Sequence, residues 1–179
     1  MNTRTLVTAA LLIATGIVLN VVIRIPLLPN APFLEYAPAD VPTLLGTFAF
    51  GPIIGVLIAA LRALLFNALA GAGGMIGMIM DLVAGVVLAG VAGLVYQFWK
   101  TRMGAVLAIV AGSIAMIVTL VALNFFWAFP AFGVPRELVW TTALPFNLIK
   151  AVLNGVIVFF LYKPLSVILH GRRGEGEKT

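Results

Sequence analysis

The chain has 179 residues, of which 63% are hydrophobic and only 9% charged, and its mean hydropathy is +1.17. Soluble domains carry about 25% charged residues, so this composition excludes a water-soluble globule and describes an integral membrane protein. At about 20 residues per span, roughly five to seven helices fit, with little left for an extramembrane domain. The net charge of +5, from eleven Lys and Arg against six acids, bears on orientation in the lipid bilayer, and no nucleic acid is implied as a partner. The absence of cysteine excludes disulfide and thiol chemistry.

The apolar runs are continuous rather than alternating, which points to helices and away from a barrel. Residues 6–23 are the first expected span, flanked by Arg4 and Arg24 and broken only by Thr8, Thr15 and Asn20. The run is too long for a signal-peptide core and lacks a persuasive small-residue cleavage site, so it reads as a span. Ala10 and Ala14 stand one turn apart in it, as Gly51 and Gly55 do in the next. Small residues at that spacing let helix backbones approach closely, inside a bundle or between proteins. Residues 26–42 contain five prolines together with Phe33, Glu35, Tyr36 and Asp40, and read as a loop of the length that serves as a lid or binding loop.

Asp40 is placed to cap a second span over 43–61, with Pro42 tolerated in the first turn. Arg62 then interrupts the apolar pattern, and 63–69 is a short run ending in the glycine-rich 71–74. Further spans are expected over 75–98, 103–127 and 141–168, with a turn-rich connection at 129–135 and a solvated tail at 170–179. If the short run crosses the bilayer, Arg4, Arg62, Lys100, Arg102 and the basic tail all face one side, which the positive-inside rule makes cytoplasmic. The expected fold class is therefore an all-α membrane protein, a six-transmembrane-helix bundle with a thin third helix and cytoplasmic N and C termini. Residues 1–169 are expected to form one transmembrane domain and 170–179 a cytoplasmic tail. Arg62 and Asn67 read as helix-end and orientation residues.

Lys150 falls about nine residues into the last span, roughly 13 Å from its outer end, and Asp81 about six residues into its own, roughly 9 Å. An ionisable side chain at such depth marks a functional site with a partner to be found. Asp81 is the partner that topology supplies; a ligand is the other. Asn147 and Asn154 share a helical stripe with Lys150, and Asn124 sits near the outer end of the fifth span. Phe125, Phe126, Trp127, Phe129, Phe132, Trp140 and Phe146 gather around the same end.

Together these residues describe an outward-facing pocket with a few convergent polar groups and flat apolar walls, suited to a planar heteroaromatic molecule bearing carbonyls and hydroxyls. Lys150 and Asn124 would donate to ring carbonyls, and Asp81, Glu35 or Asp40 would accept from hydroxyls. Phe33 and Trp127 complete the expected contact set. Competing readings are a helix cap for Asp40, an interhelical bond for Asn124 and interfacial anchoring for the aromatic rings. The only His lies in the tail, and neither a metal cluster nor paired intramembrane carboxylates are evident, so no enzyme, metal or cofactor is expected.

The run from Ala39 to Gly55, Ala-Asp-Val-Pro-Thr-Leu-Leu-Gly-Thr-Phe-Ala-Phe-Gly-Pro-Ile-Ile-Gly, entered from a proline-rich loop, resembles the S components of energy-coupling factor (ECF) vitamin transporters. It is most similar to the riboflavin-binding S component, and the likeness includes the segments Asn124-Phe-Phe-Trp and Asn147-Leu-Ile-Lys150. The resemblance implies a subunit in a prokaryotic cell membrane that captures riboflavin outside, with the first loop as a lid. It also implies association with a membrane T component and two cytoplasmic ATPases, which hydrolyse ATP; the chain itself has no phosphate-binding Gly-Lys-Ser/Thr loop. Ala10 and Ala14 match the family's Ala-x-x-x-Ala docking motif, and Asn124 and Lys150 its flavin-contacting pair. An S component for another vitamin or heterocyclic nutrient is the alternative.

Overall fold

Within lipid each backbone N–H and C=O has to be satisfied inside its own segment, and the long apolar runs accordingly form helices. The computed structural model describes residues 3–70 and 74–170. In chain order these form α1 (Thr3–Val22), a small antiparallel hairpin of β1 (Ile25–Pro26) and β2 (Glu35–Tyr36), α2 (Asp40–Phe50), α3 (Pro52–Ala70), α4 (Gly74–Phe98) and α5 (Arg102–Leu123). A π-helical turn (Asn124–Ala128), the one-turn α6 (Phe129–Ala131), a 3₁₀ turn (Arg136–Val139) and α7 (Ala143–His170) follow. Among the described residues, five segments are long and apolar enough to cross a membrane: Thr3–Val22, Pro52–Ala70, Gly74–Phe98, Arg102–Ala131 and Arg136–Tyr162. Apart from His170 at the end of α7, the expected tail lies outside the described residues.

The structure corrects the division of the second and third helices. The chain breaks at Gly51-Pro52, where Gly51 adopts φ 93° and its N–H closes α2 on Thr47 O at 2.8 Å. Pro52 then opens α3, where its missing N–H is no loss. The expected span over 43–61 is therefore two helices, and 63–69 is the second half of a full 19-residue helix that runs straight through Arg62. The thin helix of the bundle is the second: α2 has 11 residues and reaches only about 16 Å at 1.5 Å per residue.

So short a helix is tolerated because protein surrounds it. It packs against α1, α3, α4 and α7, and Leu44, Phe48, Thr43 and Thr47 are buried. Leu44 and Phe48 belong to the main core, with Leu88, Tyr96, Met116 and Val158. The α2–α3 corner fits against α4 because residue 93 is glycine: a Cβ there would lie 2.7 Å from Pro52 Cα. By contrast α1 is peripheral. Only Ala9 and Gly16 are buried on it, and Ala10 and Ala14 are both exposed on its outer face.

One end of the bundle encloses a cavity. Its lining comes from Asn20 late in α1, Asp40 at the start of α2, Arg62 to Asn67 late in α3, Ile76 to Ala84 early in α4, Leu120 and Asn124 late in α5 and Ala143 to Lys150 early in α7. Successive helices thus run up and down, and Thr3 and the C-terminal end of α7 lie at the end away from the cavity.

Candidate ligand-binding site

The site is built around the Asp40 carboxylate, which the sequence offers both as a helix cap and as a ligand acceptor. Ala39 occupies the cap position of α2, and Asp40, the first helical residue, makes no cap bond. Its carboxylate is instead buried and shared among three partners. Oδ1 accepts from Arg62 Nη2 at 3.2 Å, and Oδ2 from Lys150 Nζ at 2.9 Å and Asn154 Nδ2 at 3.4 Å. The positive end of the α2 dipole adds to its stabilisation. Lys150 is therefore paired with Asp40, correcting the expectation that Asp81 would hold it.

Asp81 belongs to Arg62. The guanidinium donates through Nη2 to Asp81 Oδ1 at 2.9 Å and through Nη1 to Oδ2 at 3.2 Å, the fork geometry that arginine offers and lysine does not. Arg62 is 1% exposed, so it is no orientation residue at a membrane face. Glycine makes room for it, since a Cβ at Gly16 would lie 2.7 Å from Arg62 Cδ. The two intramembrane carboxylates do converge, contrary to expectation, and they do so on one cation. Arg62 and Lys150 balance Asp40 and Asp81, leaving the cluster neutral, as burial of charge in such a medium requires.

The cluster borders a cavity of about 570 Å³, well within the 300–1,000 Å³ range of small-molecule sites. Among the charged members, Asp81 and Lys150 keep 21% and 15% side-chain exposure while Asp40 and Arg62 keep 1% each, so the first two are the ones that present polar atoms to an occupant. Asn67, Asn124 and Asn147 also line the cavity. Each donates Nδ2 to the carbonyl four residues earlier, at 2.9, 2.7 and 2.7 Å, which fixes the amide and leaves its oxygen available. Phe33, Phe66, Phe129, Phe132 and Phe146, with Met80 and Leu120, supply apolar wall.

Of the other residues expected at the site, Glu35 lines the cavity and pairs with Arg24 at 3.7 Å. Phe33 contributes to the rim from an exposed position. Asn154 is buried outside the lining, where its Oδ1 accepts from the Tyr36 hydroxyl at 2.9 Å. Trp127 does not line the cavity and is 37% exposed. The π-helical turn beginning at Asn124 offsets the residues after it from the ordinary helical register, a device frequent at functional sites.

Sequence reasoning missed Arg62, Tyr36, Asn20 and Asn67 as members of this region. For Arg62 a signal existed. Had Gly51-Pro52 been read as helix end and helix start, Arg62 would have fallen in mid-helix, where a charge requires partners. Tyr36 carried no comparable signal, because loop folding brings it to α7. Its hydroxyl pKa is pushed up to about 12, first by burial and then by the nearby Asp40 carboxylate, so it stays protonated and acts as a donor.

Fold and site together define a membrane helix bundle that encloses a small-molecule cavity beside a neutralised charge cluster. The family model described as "ECF transporter, substrate-specific component" matches residues 4–162, and the chain belongs to that family. It is 29% identical over 175 residues to the riboflavin transporter RibU of Staphylococcus aureus, covering 92% of this chain and 91% of that protein. It is 35% identical over 184 residues to RibU of Streptococcus thermophilus, with 94% and 85% covered. The solved S component of a bacterial ECF transporter superposes with a TM-score of 0.84 at 28% identity, over 95% of this chain and 99% of that one.

Proposed function

We propose that this chain captures riboflavin from outside a prokaryotic cell and delivers it inward as the S component of an ECF transporter, working with a T component and two ATPases. The observation that carries this reading is the cavity itself, where aromatic walls face Lys150, Asp81, Asn124 and Asn147. A flat tricyclic ring needs apolar faces for its surface and donors for its carbonyls, and a polyol chain needs acceptors such as the Asp81 carboxylate and the asparagine oxygens. The riboflavin-transporter names of the relatives at 29% and 35% identity point the same way.

Orientation follows from charge. Arg4, Lys100 and Arg102 sit at the end away from the cavity, with Thr3 and the end of α7, and these charges support a cytoplasmic assignment for that end and a cavity that opens outward. The loop over 23–39 is then the lid on the extracellular side. Titration of the purified chain with riboflavin, followed by tryptophan fluorescence, tests the reading. Saturable quenching at a one-to-one ratio is expected, while tight binding of another vitamin and none of riboflavin overturns it.

Ala10 and Ala14, exposed on α1, form the docking stripe for the T component, because small side chains admit a partner helix closely. Leucine or tryptophan at either position is expected to abolish uptake into cells while riboflavin binding by the purified variant stays at the parent's level. Normal uptake by such a variant removes the docking role.

A further inference from the structure

One run of hydrogen bonds connects the first loop to the charged cluster, and nothing in ligand contact alone accounts for it. Tyr36 Oη donates to Asn154 Oδ1 at 2.9 Å, Asn154 Nδ2 donates to Asp40 Oδ2 at 3.4 Å, and the same Oδ2 accepts from Lys150 Nζ at 2.9 Å. Tyr36 is 5% exposed and Asn154 2%, so water does not compete for these bonds. Tyr36 belongs to a hairpin of only two residues per strand, and an isolated two-stranded hairpin is marginal in water. Its position therefore depends on tethers to the bundle. The contact from Asn30 Nδ2 to Thr141 O, at 3.4 Å, is exposed. The Arg24–Glu35 pair is also substantially exposed, at 35% and 44%. Tyr36 supplies the buried side-chain tether.

We propose that Tyr36 is a ligand-positioning residue, fastening the loop through Asn154 to the carboxylate that aims Lys150, so that seating the loop and orienting the lysine are one event. The same loop brings Phe33, Leu34 and Glu35 to the cavity, and releasing Tyr36 loosens that wall and frees Asn154 to turn away from Asp40. With Asn154 in place, Asp40 Oδ2 has two donors whose directions are fixed relative to each other, and the ammonium is held where its remaining N–H groups face the cavity. An occupant then meets a closed wall and a preset donor, which reduces the ordering it has to pay for on binding. The inference rests on the riboflavin reading above for its ligand arm only.

Two measurements on the full chain test it. In the first, Tyr36→Phe is expected to speed riboflavin dissociation about fivefold to tenfold, as loss of a buried hydrogen bond with a stranded acceptor implies. In a Lys150→Met background, where there is no ammonium to aim, the factor is expected to fall below about twofold, since coupled sites are non-additive. Equal factors in both backgrounds, or none in either, overturn the proposal. In the second, hydrogen exchange of the loop amides is followed without ligand. Tyr36→Phe and Asn154→Leu are each expected to raise it about fivefold to tenfold, and the double variant no further, because both cut one tether; Asn154→Ala serves as the alternate truncation. Multiplying factors, or unchanged exchange in Tyr36→Phe, overturn the tether. A parent that does not bind riboflavin rejects the ligand assignment, and the exchange measurement still decides the tether.

Discussion

Arg62→Ala is expected to be the most damaging single substitution in this chain, lowering stability by about 3–5 kcal/mol, the cost typical of removing one partner from a buried ion pair. The guanidinium serves two carboxylates at once, Asp40 at 3.2 Å and Asp81 at 2.9 Å. Its removal strands Asp81 and leaves Asp40 to Lys150 and Asn154. It also disconnects the three helices that carry these residues, α2, α3 and α4. Thermal melting of the detergent-solubilised chain should show a loss of many degrees, accompanied by loss of riboflavin binding. Arg62→Lys should recover only part, because an ammonium is a point charge and cannot reproduce the two parallel bonds to Asp81. Adding Asp81→Asn to Arg62→Ala should restore stability relative to the single variant by removing the stranded charge. An Arg62→Ala chain that melts with the parent removes the cluster from any structural role.

The fate of Arg62 shows what the sequence carried and what it did not. Membrane character, the helical class and the approximate positions of α1, α4, α5 and α7 follow from apolar runs that lipid tolerates in one conformation only. The boundary between α2 and α3 is also written in the chain, at Gly51-Pro52, but a lone arginine in an apolar run is a louder signal than a proline and points to a break at the charge. Placing it there turned a buried hub into a membrane-face residue. Lys150, Asp81, Asn124 and Asn147, which line the cavity, were legible because polar groups at depth stand out against their surroundings. Which cation meets which carboxylate was not legible, because pairing depends on helix rotation and on the shortness of α2, which sets Asp40 within 2.9 Å of Lys150. Tyr36 and Asn20 depended on how the first loop and the end of α1 close over the cavity, and no periodicity encodes that.

Lys150→Met is expected to separate ligand binding from folding. Lysine has three N–H donors, one of which is spent on Asp40; the others remain available at the cavity that the residue lines. A hydrogen bond to a charged group contributes about 1.5–3 kcal/mol, so riboflavin affinity should fall roughly tenfold to a hundredfold at 1.4 kcal/mol per decade. Folding should suffer less than in Arg62→Ala, because Asp40 keeps its bonds to Arg62 and Asn154 and methionine fills the volume of the lysine stem. The remaining destabilisation comes from a cluster left with one excess negative charge. Adding Asp40→Asn removes that excess while Arg62 and Asp81 still pair. The double variant should therefore regain melting temperature relative to Lys150→Met without regaining affinity. If affinity returns together with stability, Lys150 acts only by holding the bundle together, and its place as a ligand donor is lost.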